Sequence, residues 1–280
     1  MVAILLLVPS VRAQAEFRDF FDTLITDDAT PSNQAIVQPG WVKSGNGSNL
    51  SLAWSIEKQL SENFSLQIGD SFGDTSRRFH NSTGLDNVEF FGKYAFYTNV
   101  EHEFRATAGL DIFAPTGDVD AGADSHTRVG PALLIEKGAG DLPDRGAWHF
   151  MRPFATEAAA TYTWLASGRQ ADDAQFDIAL SYQLGHLRKS RRPAISPWLA
   201  RFTPFTEFNY QQTTFGRFNT TPPDWRITPG FAWDDNYYEV ALGTQLALTK
   251  LGIASTHAVV LVGISIYYDQ FTSWGGDIPF

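Results

Sequence analysis

The sequence predicts an all-β fold: a transmembrane, antiparallel, up-and-down β-barrel of about twelve strands. Three observations carry that prediction. Polar and apolar residues alternate in run after run along most of the 280 residues. Aromatic residues gather at or near the ends of those runs, Trp54, Tyr94, Phe96, Trp164, Trp225 and Trp233 among them. The mean hydropathy stays slightly negative at −0.19 although Phe is abundant. A soluble core would favour Leu, Ile and Val, whereas a barrel wall pairs a lipid-facing apolar stripe with a polar lumen face and ringed aromatic girdles.

The stretch Glu103 to Asp118, EFRATAGLDIFAPTGD, shows the repeating unit. Phe104, Ala106, Ala108, Leu110 and Ile112 share one face of an extended chain, and Arg105, Thr107, Gly109 and Asp111 share the other. Alone, such a strand fits a half-buried sheet equally well. Its neighbours decide. A dozen strands' worth of apolar face would need helices or a second sheet to cover it, and the chain offers no helices for the task. Closing the sheet toward lipid removes both the cover problem and the edge strands.

Taken in order, residues 1–15 read as a signal peptide. Val2 to Val8 form the apolar core and Ala13-Gln14-Ala15 a small-x-small cleavage site. The basic region that normally precedes such a core is missing, so the natural start is expected further upstream. Residues 16–34 form an acidic, aromatic leader. Phe17, Phe20, Phe21 and Leu24 fall on one helical face, which predicts a short amphipathic helix. Such a helix could plug the barrel or lie at its mouth; a mobile leader is the simplest expectation.

The barrel spans 35–271, with a tail at 272–280. Its expected strands are 35–43, 51–58, 64–69, 88–96, 104–112, 128–136, 154–164, 176–184, 198–210, 225–233, 238–248 and 260–268. Polar stretches at 73–86 and 118–125 read as outer loops. Short turns such as Ser61-Glu62-Asn63 and Asp234-Asp235-Asn236 alternate with longer connections, and an even strand count places both ends in the periplasm. The connections 137–148 and 187–196 depart from this rule, since they fall on the periplasmic side without being short.

The inward faces of these strands carry Glu57, Glu89, Lys93, Arg105, Asp111, Arg128, Glu136, Glu157, Asp177, Arg201, Glu207, Arg226 and Glu239. They are the candidate lumen-lining and selectivity residues, because rings of charge set which solutes enter a pore. Charges confined in a lumen must pair or be hydrated, so the same set also suits a closed barrel filled by ion pairs.

Other chemistries find little footing. A net charge of −10 argues against a nucleic-acid partner. No cysteine is present, and the six histidines lack metal-ligand spacing, so neither a cofactor nor a metal is expected. Asp118 to Asp124 departs from a calcium loop: its glycine comes one place early, and Val129 stands where the closing Glu belongs. His80-Asn81-Ser82 is the nearest hint of a barrel enzyme acting on lipid, without a nucleophile motif around it.

The segments WSIEKQLSENFSLQIG, FGKYAF from Phe91, APTGD and TPGFAWDDNYYEVALGTQLAL resemble the outer-membrane family named for the meta-pathway of phenol degradation. The resemblance runs from about Leu50 to Phe271. It implies a barrel in the bacterial outer membrane that passes small compounds, hydrophobic or aromatic ones included, and it carries over no catalytic residue. The expected partners are outer-membrane lipid, lipopolysaccharide, small solutes and the barrel assembly machinery. The rival readings are a lipid-acting barrel enzyme and a closed structural barrel.

Overall fold

A computed structural model describes residues 20–44, 47–77, 80–121, 123–166, 171–189, 195–215, 219–235, 237–250, 253 and 258–268. The signal peptide, the first part of the leader and the tail lie outside the described residues. Fourteen strands follow in order: β1 Gln34–Ser44, β2 Gly47–Ser61, β3 Phe64–Arg77, β4 His80–Leu85, β5 Val88–Asn99, β6 Phe104–Ala114, β7 Arg128–Gly138, β8 Phe154–Leu165, β9 Ala171–Tyr182, β10 Phe202–Phe215, β11 Asn219–Thr220, β12 Asp224–Asp234, β13 Tyr238–Ala247 and β14 Ala258–Tyr267.

Twelve of them close an antiparallel barrel. Each pairs with its neighbour in sequence, once β4 and β11 are set aside, and β14 returns to β1 with Tyr267 opposite Gln34. β4 pairs only with β3, and the two-residue β11 with the end of β10. Residues 73–77 and 80–85, read from sequence as part of a loop, instead belong to the paired upper part of β3 and to β4. Above the membrane, water lies on both sides of a hairpin, so the apolar alternation that marks a wall strand disappears there.

The side chains are inverted relative to a soluble protein. Leu52, Trp54, Ile56, Leu66, Ile68, Phe90, Leu110, Ile112, Phe176, Leu180, Phe231 and Leu242 are all exposed on the outside. Glu57, Lys93, Glu136, Glu157 and Glu207 are almost wholly buried inside, each at 2% exposure or less. Only lipid accounts for an outer surface of that kind. Pro131, Pro204 and Pro229 point to the same outer face, and Gly130 with Pro131 and Thr228 with Pro229 fall where the paired registers of β7–β8 and β12–β13 are interrupted. The molecule is thus an outer-membrane-type barrel.

Several strand boundaries differ from expectation, β2 running Gly47–Ser61 and β9 Ala171–Tyr182, and the one at β10 moves an expected lumen residue. β10 starts at Phe202; Trp198 and Arg201 precede it, Trp198 capping a one-turn 3-10 helix, Leu199–Arg201, that Arg201 ends. The long connection before it also carries a short helix α1, Leu184–Lys189. No helix among the described residues is long and apolar enough to cross a membrane.

Candidate functional site

The barrel interior is not an open tube. Residues 20–33 run through it as bends without helix, and Phe20, Phe21, Leu24 and Ala29 are buried there. The helical periodicity of the leader has a different origin. Its apolar residues are spaced to reach pockets in the wall, while its backbone amides are given to wall carboxylates.

Glu207 of β10 accepts the amides of Leu24 (2.8 Å), Ile25 (2.9 Å) and Thr26 (3.0 Å) and the Thr26 hydroxyl (3.2 Å). Glu136 of β7 accepts the amides of Ala29 (2.7 Å) and Thr30 (3.0 Å) and the Thr30 hydroxyl (2.8 Å). Glu57 of β2 accepts the Ser32 amide (3.1 Å) and the Ser65 hydroxyl (2.5 Å). A segment without regular structure has no partners of its own for its amides, and these three carboxylates supply them.

Lys93 of β5 joins segment to wall. Its ammonium lies 2.5 Å from Asp28 and 2.8 Å from Glu57 and also donates to the Thr30 carbonyl at 3.3 Å. Thr107 donates to the Ala29 carbonyl at 2.5 Å, Arg105 to the Thr30 hydroxyl, and Gln38 to the Leu24 carbonyl at 2.5 Å. An apolar anchor completes the seat. The Phe21 ring stacks on Phe205 at 4.8 Å. Leu24 fits a notch left by Gly243 and Gly263 on adjacent strands, where an added Cβ would stand 2.7 and 2.9 Å from its methyl groups.

The segment divides the lumen. One cavity, of about 260 Å³, lies between it and β1, β2, β3, β5 and β14. Asp22, Asp27, Asp28, Asp70, Asp86 and Glu89 line it against the single cation Lys93, beside Leu24, Ile25, Ile36 and Phe113. A second cavity of about 170 Å³, bounded by Asp177, Asn209, Asp224, Arg226 and Gln245, lies beyond Ile25.

The thirteen expected residues separate into groups. Glu57, Lys93, Arg105, Glu136 and Glu207 converge on the segment. Glu89 and Asp111 face each other within hydrogen-bonding contact beside the larger cavity. Asp177 accepts from Asn209 (2.9 Å) and Gln175 (2.7 Å), and Arg226 binds Asp224 (2.7 Å) and Gln245 (2.9 Å), both in the smaller cavity. Arg128 pairs with Asp173 and, at 3.6 Å, with Asp124 at the outer end of β7. Glu157 stands opposite Glu136 in register, and Glu239 opposite Ser265, both buried. Arg201 does not belong to the set. It sits outside the wall, paired with Asp235 and lying over Trp233 at 5.4 Å, because the strand begins one residue later.

Sequence reasoning missed the acids that the segment itself brings inside, Asp22, Asp27 and Asp28. The signal available was charge complementarity: one inward lysine faced a wall rich in carboxylates, and an acidic leader preceded it. At the end of the barrel where the chain enters β1, a clasp joins the β5–β6 and β7–β8 connections. Lys137 at 3.1 Å and His102 at 3.1 Å bind Asp141. Slight burial works to raise the Asp141 carboxyl, but those hydrogen bonds outweigh it and hold it below the usual carboxylate range.

Comparisons with solved structures agree on the class of fold. An outer-membrane channel from Pseudomonas putida F1 superposes with a TM-score of 0.58, at 9% identity over 89% of this chain and 99% of the other. The NanC porin gives 0.53, at 10% identity over 83% and 98%. The KdgM porin, in complex with disordered oligogalacturonate, gives 0.50, at 10% identity over 82% and 98%. No family model matches the sequence, and no curated protein matches it either. The resemblance to the phenol meta-pathway family therefore finds support in the barrel fold and not in its finer terms. The protein is an outer-membrane β-barrel, similar in fold to channels and porins.

Proposed function

We propose that the barrel is a channel for small neutral or cationic solutes, with the N-terminal segment as a fixed constriction. The observation that carries this reading is the larger cavity, enclosed by a complete twelve-strand wall and left over after residues 20–33 are seated. Its volume suits single-ring compounds: a cavity of about 150 Å³ already accepts benzene. Leu24, Ile25, Ile36 and Phe113 offer a ring apolar contact, so hydrophobic and aromatic compounds fit the same space. Six carboxylates oppose entry of anions, and Lys93, shared between Asp28 and Glu57, offsets only Asp28 among them.

Planar-bilayer recording tests the proposal. The purified barrel should give discrete conductance steps, and cells lacking it should take up small aromatic amines or alcohols more slowly than wild type. Silent bilayers together with unchanged uptake would sink it and favour a closed structural barrel.

A further inference from the structure

The periplasmic connection between β9 and β10 carries a feature that passage through the lumen does not use. Residues 183–201 hold five Lys or Arg (Arg188, Lys189, Arg191, Arg192 and Arg201) and no acid, in a chain with a net charge of −10. Helix α1 packs against the 3-10 turn Leu199–Arg201, and Gly185 permits the approach: an added Cβ would stand 2.9 Å from the Ala200 carbonyl oxygen. This brings the exposed Arg188 and Lys189 onto the same small platform as Trp198, which is 64% exposed, and Leu199. The Gln183 amide donates to the Pro153 carbonyl at 3.0 Å and so joins the platform to the neighbouring connection, where Trp148 and Phe150 are also exposed.

We infer that this platform binds anionic phospholipid headgroups of the periplasmic leaflet. The end of the barrel that carries it also carries the entry to β1, the exit from β14 and the short β2–β3, β5–β6 and β12–β13 connections, which makes it the periplasmic end. Cations beside an exposed indole match a surface that is anionic at the headgroup and apolar just below it. A purely polyanionic partner would use the arginines and leave Trp198 and Leu199 in water. Arg201 is fixed by Asp235 and Trp233, so Arg188 and Lys189 carry the headgroup contact.

Reconstitution of the full chain in nanodiscs of equal phosphatidylglycerol and phosphatidylcholine, followed by detergent release and native mass spectrometry of retained lipid, tests the inference. Wild type should retain phosphatidylglycerol preferentially. The Arg188→Ser/Lys189→Ser variant should lose about thirtyfold of that preference, at roughly fivefold per cation near an anionic surface. Trp198→Ser should lower retention of both lipids, and Lys43→Ser on β1 should change nothing. Folding is checked by heat-modifiable gel mobility. Equal retention of the two lipids by wild type, or a preference that survives the double variant, would overturn the inference. Sedimentation with isolated peptidoglycan that only the double variant loses would overturn it too, by assigning the platform to the cell wall.

Discussion

Lys93 shows how much one residue settles. Alternation within β5 places it inward, and its neighbours on the wall could be anticipated as carboxylates. Its other partner, Asp28, could not, because Asp28 belongs to a segment whose apolar spacing imitates a helix. In the structure the ammonium is 2% exposed and lies between two carboxylates, so its removal leaves both charges buried and uncompensated. Lys93→Met should therefore cost about 3–5 kcal/mol, read from guanidinium unfolding of the barrel in detergent. Adding Glu57→Gln should recover part of that loss, since one orphaned charge goes with it. A double variant as unstable as the sum of the single ones would remove Lys93 from this role. Arg201 teaches the complementary lesson. Alternation continued one turn too far back along β10, because nothing in the composition distinguishes the last wall residue from the first residue outside it.

At the level of elements, the twelve wall strands were legible because lipid on one side and a polar lumen on the other force a period of two on every one of them. The path of residues 20–33 was not legible, because its structure is imposed by long-range partners: Glu57, Glu136 and Glu207 lie on three strands spread around the ring. The same holds for the β3–β4 hairpin, whose upper part meets water on both faces. The seat of Leu24 makes the element testable. Gly263→Val puts a Cβ 2.9 Å from the Leu24 methyl, with further methyl groups beyond it, so the segment should lift while the barrel stays closed. Hydrogen exchange followed by mass spectrometry should show the amides of residues 24–26, which Glu207 protects, exchanging at least tenfold faster. Leu24→Ala in the same chain should restore part of the protection by vacating the notch. Unchanged exchange in Gly263→Val would mean that the notch does not position the segment.

For the whole molecule, the arrangement of charge matters more than its total. The outer face is apolar, the connection between β9 and β10 is basic, and the cavity beside the N-terminal segment is acidic. Fold and sidedness follow from the alternation, but the sign of the lumen depends on which carboxylates are consumed by the segment and which remain facing water. Glu136 and Glu207 spend their oxygens on backbone amides. Asp27, Asp70, Asp86 and Glu89 line the cavity that remains. In a potassium chloride gradient the reversal potential should accordingly have the sign of cation selectivity. The triple variant Asp27→Asn/Asp70→Asn/Glu89→Gln should move it toward zero, because it removes three of the six cavity carboxylates that repel chloride. The effect should shrink at 1 M salt, where the screening length falls to about 3 Å. Arg201→Gln, outside the wall against Asp235 and Trp233, should leave the reversal potential unchanged. Anion selectivity in the wild type would mean that solutes pass by another route than this cavity.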